Sequence, residues 1–166
     1  VRCHEIVDTG APVTGSDRTL PLSTVKTERI IADLGSILSE QAHGRPNCAL
    51  VFSRFAQVRQ AILEALDERD ILATDQVGRF QQDDDVQCLV VSPQSCGVGL
   101  NLVRSNYVVL CEPAFRRSTE DQAYGRAVRI GQDRTVHLKR YVMADTIEQQ
   151  LVHVNDTRVN MAQLFE

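Results

Sequence analysis

NYVVLCEPAFRRSTEDQAYGRAVRIGQ, residues 106–132, runs from an unbroken apolar stretch into an arginine-rich polar one. NYVVLCE (106–112) has the continuous apolar character of a strand buried on both faces. Residues 119–129 read as a helix, on which Gln122, Arg126 and Arg129 share one face. The same strand-then-helix pattern recurs on either side. CALVFS (48–53), QCLVVS (87–92) and VHLKRYV (136–142) are three more buried strands. Phe55, Val58, Ile62, Leu63 and Leu66 recur at helical spacing, and 75–82 is a weaker helix candidate. Upstream, Ser23 or Thr24 caps a helix with Ile30, Ile31, Leu34, Ile37 and Leu38 on one face, ended by Gly44 and Pro46. Downstream, Asp145 caps a last helix carrying Ile147, Leu151, Val154, Met161 and Leu164. Residues 1–22, with Gly10, Pro12, Gly15 and Pro21, read as an irregular lead-in to a domain over 23–166. The alternation implies an α/β fold: a parallel sheet with helices on both faces, three layers in all. Ligands of such sheets bind outside the strands' carboxyl ends, so the loops after Ser53, Ser92, Glu112 and Val142 should hold the site.

The 166 residues suit one domain, and 43% hydrophobic with 24% charged residues is a globular composition. No apolar run approaches the roughly 18 residues of a membrane span. No signal peptide is read, and Val1 in place of Met suggests a segment of a longer chain. The net charge of −4 hides a split. Residues 64–85 hold eight acids and two bases, whereas 104–140 hold eight bases and four acids, a locally basic surface able to meet phosphate. Cys3, Cys48, Cys88, Cys96 and Cys111 form no CxxC, and the four histidines have no ligand spacing with them. Reduced, structural thiols in an intracellular protein are expected, and no metal site.

Two motifs stand at the expected loops. SPQSCGVGLNL (92–102) puts two glycines where backbone amides can approach a ligand. It lacks the third glycine of a dinucleotide fingerprint, with Leu102 in its place. Gln122, Arg126 and Arg129 suit a phosphate, because guanidinium donates in a planar fork and keeps its charge. A solvated basic helix face is the plainer alternative. DDD (83–85) precedes its strand rather than following it and reads as a solvated acidic turn.

QAYGRAVRIGQ (122–132) resembles the last helicase motif, QAxGRxxRxGQ, of the Swi/Snf-type (sucrose-non-fermenting) ATPases of helicase superfamily two. EPAFRRSTEDQ, SPQSCGVGLNL, CALVFSRF, STVKTERIIADL and TVHLKRYVMADTIEQQL resemble that family's other second-lobe motifs, in order, from about Ser23 to Leu151. The DEAD-box RNA helicases are a poorer match.

The resemblance implies a RecA-like second lobe whose partners are double-stranded DNA and the N-terminal ATPase lobe, nuclear if eukaryotic and otherwise cytoplasmic. ATP with Mg²⁺ would be shared with that first lobe, since no GxxxxGK[ST] occurs in this sequence. By carry-over, Arg126 and Arg129 match arginine fingers. Gln122, Gly125, Gly97, Gly99 and Asn101 match nucleotide-side positions, and Ser53, Arg54, Ser95, Arg116 and Arg117 match DNA-side positions. Arg116 and Arg117 replace the family's Asn-Pro and either touch phosphate or form a solvated pair. Only DERDILAT (67–74) separates two helices where the family has a further strand and a DNA-contacting loop, so that strand and loop should be shortened or lost, leaving the sheet about one strand short of the family pattern. Two functions stay open: the second lobe of an ATP-dependent DNA translocase, remodeller or repair ATPase, or a non-catalytic truncated relative acting as a nucleotide- or partner-binding module. Thiol titration of the denatured, unreduced protein should return five free cysteines; three or fewer would contradict the reading of reduced thiols.

Overall fold

In the computed structural model, which describes residues 3–8, 25–42, 44–95 and 101–162, the alternating runs form a single parallel sheet covered on both faces. The elements in chain order are β1 (Cys3–Asp8), α1 (Val25–Ser39), β2 (Gln41–Ala42), β3 (Arg45–Pro46), β4 (Ala49–Phe52), α2 (Ala56–Asp67), β5 (Ala73–Thr74), α3 (Val77–Gln82), β6 (Cys88–Val91), β7 (Tyr107–Leu110), α4 (Arg117–Tyr124), β8 (His137–Val142) and α5 (Ile147–Ala162). Six strands lie in the order β1-β8-β7-β4-β6-β5, every neighbouring pair parallel, while β2 and β3 make a separate antiparallel ribbon.

The strand period of two assigns the faces. Ala49, Val51, Cys88, Val90, Val109 and Tyr141 pack with Ile30, Leu34, Ile37 and Leu38 of α1 and Ile62 and Leu66 of α2. Leu50, Phe52, Leu89, Val91, Val108, Leu110 and Leu138 pack on the opposite side with Phe80 of α3 and Ala123 and Tyr124 of α4. Cys48, Cys88 and Cys111 are buried free thiols, and burial pushes the Cys88 and Cys111 thiols well up. Two buried asparagines align the strand starts: Asn106 donates to Asn47 Oδ1 (2.7 Å) and accepts from the Cys48 amide (2.9 Å), and Asn47 donates to the Ile37 carbonyl (2.9 Å). No helix among the described residues is long and apolar enough to cross a membrane.

The structure departs from the sequence expectations at several elements. Cys3–Asp8, inside the segment read as irregular, is a strand, because the outer edge of β8 offers six residues of unpaired backbone to it. The strand expected to be shortened or lost between α2 and α3 is shortened, as that reading allowed: β5 keeps two residues, which pair with Cys88 and Leu89. Asp145 does not cap the last helix: it takes a positive φ of 55°, and Thr146 Oγ1 accepts the Glu148 amide at 3.2 Å instead. That helix also presents another face, with Val152 and Asn155 buried while Ile147 and Val154 are exposed. The proposed caps Ser23 and Thr24 lie outside the described residues.

One charged side chain sits in the α4-facing row of β8. Arg140, with 6% of its side chain exposed, pairs with Glu120 of α4 at 3.1 Å, and Glu120 is 3% exposed. Glu120 also accepts the Ala114 amide (2.9 Å), and Asp156 of α5 lies 4.0 Å from the Arg140 guanidinium and 2.9 Å from Arg117. Burial pushes the Glu120 carboxyl above its usual value, against the pull of the Ala114 amide, Arg140 and Arg117. At the other end of α5, Glu148 binds Lys26 of α1 at 2.7 Å and accepts the Met143 amide. Arg140→Ala should cost about 3–5 kcal/mol in urea unfolding, because it strands Glu120 in the interior. The joint replacement Glu120→Leu with Arg140→Met should cost markedly less, since it removes both desolvated charges.

Candidate functional site

β4 and β7 are neighbours whose following helices leave to opposite faces, α2 to the α1 side and α4 to the other. Chains diverging from adjacent strand ends leave a crevice between them, the usual ligand position of an open parallel sheet. A pocket of about 400 Å³ lies there, lined by Phe52 at the end of β4 and Arg54 after it, Pro93 and Gln94 after β6, and Glu112, Phe115 and Arg116 after β7.

Glu112 organises its floor. Its carboxylate accepts the Ser53 hydroxyl at 2.5 Å and the Arg54 amide at 3.2 Å. Ser53 is fully buried, and its Oγ also accepts the Phe55 amide at 3.1 Å. Arg59 of α2 donates to the Ser53 carbonyl at 2.8 Å. The loop after β4 is therefore fixed by a carboxylate, a hydroxyl and a guanidinium. Arg54 stacks its guanidinium on the Phe115 ring, 4.5 Å from the centroid. Phe115, 70% exposed, is thus held over the pocket mouth rather than in the core.

Of the DNA-side residues expected from the sequence, Arg54 and Arg116 come together at this pocket. Ser53 lies beneath it with its hydroxyl already engaged. Ser95 stands in a hydroxyl-stabilised turn with Ser92 (Oγ to Oγ 2.6 Å). Arg117 turns to Asp156 and, more loosely, Asp121, tying α4 to α5. Gly97 and Gly99 lie outside the described residues.

The second cluster lies at the opposite end of α4, and here the helix expectation is corrected. α4 ends at Tyr124, so Arg126 and Arg129 do not share a helix face with the exposed Gln122. Gly125 is the C-cap, its amide donating to the Asp121 carbonyl, and a Cβ there would stand 3.1 Å from that oxygen. Arg126 and Ala127 then bond three residues back, to Ala123 and Tyr124, a tighter turn than the α-helix. The Arg126 carbonyl leaves the helical pattern to accept the Leu102 amide at 3.0 Å, beside Asn101, whose carbonyl accepts Gln81 Nε2 at 3.1 Å. Ala127 is fully buried, Arg126 half-buried and Arg129 exposed. Gly131, at φ 102°, and Gln132 end the turn.

Sequence reasoning missed the residues that hold these loops. Arg104 donates to the carbonyls of Phe80 and Asp83 (2.7 Å each), Asp84 and Val86 (2.8 Å), which closes the acidic turn. Arg134 donates to Pro46 (3.0 Å) and to the Arg104 carbonyl. Their only sequence signal was position beside a strand, which does not separate a carbonyl clamp from a solvated base.

A family model described as the helicase conserved C-terminal domain matches residues 29–131. DNA repair protein rad8 of Schizosaccharomyces pombe is 26% identical over 82% of this chain, which spans 13% of that protein. ATP-dependent helicase fft1 of the same organism is 30% identical over 70% of the chain, which spans 14% of it. The crystal structure of the C-terminal part of the Fun30 ATPase domain superposes with a TM-score of 0.69 at 25% identity, covering 81% of this chain and 46% of that one.

Ser53→Ala should destabilise the fold by about 1.5–3 kcal/mol, since it removes a hydrogen bond to a carboxylate. Chemical denaturation measures it; a loss below a few tenths of a kcal/mol would mean that Glu112 does not anchor the loop.

Proposed function

The chain belongs to the helicase conserved C-terminal domain family, in its Swi/Snf-type branch, and from that premise we propose that it is the second lobe of an ATP-dependent DNA translocase. In this reading ATP and Mg²⁺ are held by an N-terminal ATPase lobe, and this chain supplies Arg126 and Arg129 to the phosphates. In the same reading Gln122, Gly125 and Asn101 serve the nucleotide side, the role that the resemblance also gives Gly97 and Gly99. Ser53, Arg54, Ser95, Arg116 and Arg117 form the DNA side, where Arg54 and Arg116 meet the backbone and Ser53 acts from beneath by fixing the loop. The relatives named for DNA repair and ATP-dependent helicase activity make a nuclear remodelling or repair ATPase the matching biological setting.

The observation that carries the reading is the arginine turn. Two arginines stand on a short, non-helical segment tied to its neighbours through backbone bonds at Asp121 and Leu102. Guanidinium groups on a backbone fixed before reaction can stabilise charge that develops on a transferring phosphoryl group. The alternative, a non-catalytic relative acting as a nucleotide- or partner-binding module, draws on the shortening of β5 to two residues.

The chain by itself should not hydrolyse ATP, since no phosphate-binding GxxxxGK[ST] loop occurs in its sequence. In a two-lobe protein, Arg129→Ala should lower kcat about 10²-fold or more, with a smaller change in nucleotide affinity. Arg129→Lys should rescue poorly, because an ammonium lacks the planar fork. Steady-state ATPase per folded molecule, read beside thermal unfolding, is the test. An unchanged turnover with a lowered melting temperature would favour the non-catalytic reading.

A further inference from the structure

Gln132 ends the arginine turn, and its side chain bonds four backbone groups. Its Nε2 lies 2.8 Å from the carbonyl oxygens of Val103 and Ser105 and 3.1 Å from that of Ala127. Its Oε1 accepts the Arg134 amide at 3.0 Å, and its own amide donates to the Arg129 carbonyl at 3.0 Å. A primary amide carries two protons, so three carbonyl oxygens share them. Those carbonyls come from two separate backbone segments: the approach to β7 and the arginine turn itself. A carboxylate of the same shape could satisfy none of them.

We propose that Gln132 is a positioning residue for Arg129, acting through the backbone of the turn; the inference rests on the finger reading. The turn is tied on its upstream side by the Gly125 amide and the Arg126 carbonyl, and on its downstream side by Gln132. Between these ties the Val128 amide keeps one helix-type bond, to the Tyr124 carbonyl at 3.1 Å, and Gln132 then fixes the segment that carries Arg129 from its downstream side. Electrostatic stabilisation requires donors fixed before the reaction, and a displacement of about 1 Å can cost up to about 10²-fold in rate.

A double-mutant cycle in the two-lobe protein tests this, with DNA-stimulated ATPase per folded molecule and nucleotide affinity measured in parallel. Gln132→Ala should lower kcat about tenfold or more while nucleotide affinity holds. In the Arg129→Ala background the same change should cost about twofold at most, because the group it positions is already gone. Gln132→Glu should be worse than Gln132→Ala, since its oxygens would face three carbonyls. Gln132→Asn, one methylene shorter, should give a milder version of the alanine pattern and serves if the alanine variant folds poorly. Equal losses in both backgrounds, or Gln132→Ala without effect where Arg129→Ala is damaging, would overturn the inference alone. Arg129→Ala without effect would overturn the finger reading and this inference with it.

Discussion

Ala49–Phe52 are buried on both faces, so the backbone N–H and C=O groups of these four residues can be satisfied only by strands on either side. β6 and β7 supply that pairing, in parallel. Parallel neighbours cannot be joined by a tight turn and require longer connections, and the helices that follow β4 and β7 pack on opposite faces. The divergence of α2 and α4 from adjacent strand ends, and hence the pocket between Arg54 and Glu112, follows from how β4 is buried. The site is a consequence of sheet topology before any of its side chains is considered.

The loops solve a second problem. Irregular backbone near a core carries carbonyls that no ladder satisfies, and each one left unpaired costs about 1–3 kcal/mol. This chain meets them with long donor side chains: Arg104 over the turn at 80–86, Arg134 between Pro46 and Arg104, and Gln132 over 103–105 and Ala127. The same devices fix the segments that flank the arginine turn. Positions that read in sequence as a basic surface are therefore divided. Arg104, Arg134 and Arg140 are used inside the domain, while Arg54 and Arg116 line the pocket and Arg129 is exposed.

α4 carries both ends of the candidate machinery. Its N-cap Arg116 and first-turn Thr119 meet the pocket rim, and its C-cap opens the arginine turn. Eight residues of α-helix span about 12 Å, so the two clusters are rigidly related if the helix is held. Glu120–Arg140 holds it to the sheet, and Arg117–Asp156 holds it to α5. A buried ion pair is a weak source of stability but a strong constraint on registry, because each charge tolerates few alternative positions.

The sequence by itself determined what depends on local period and residue type: the four buried strands β4, β6, β7 and β8, the helices packed on both faces of their sheet, and a cluster of arginines after β7, which it read as part of a helix. These are legible because Val51 or Leu89 declares its burial through its own neighbours in the chain. Tertiary structure alone decided where those patterns stop. α4 ends at Tyr124 although helical spacing continues through Arg126 and Arg129, because the Arg126 carbonyl finds a partner in Leu102, far back in sequence. Ser53 faces inward because Glu112, fifty-nine residues later, takes its hydroxyl. β1 exists because the edge of β8 is open to it, and α5 turns Asn155 inward to reach the Ala114 carbonyl. Each outcome is a hydrogen bond between segments that only folding brings together, and no local pattern encodes the partner.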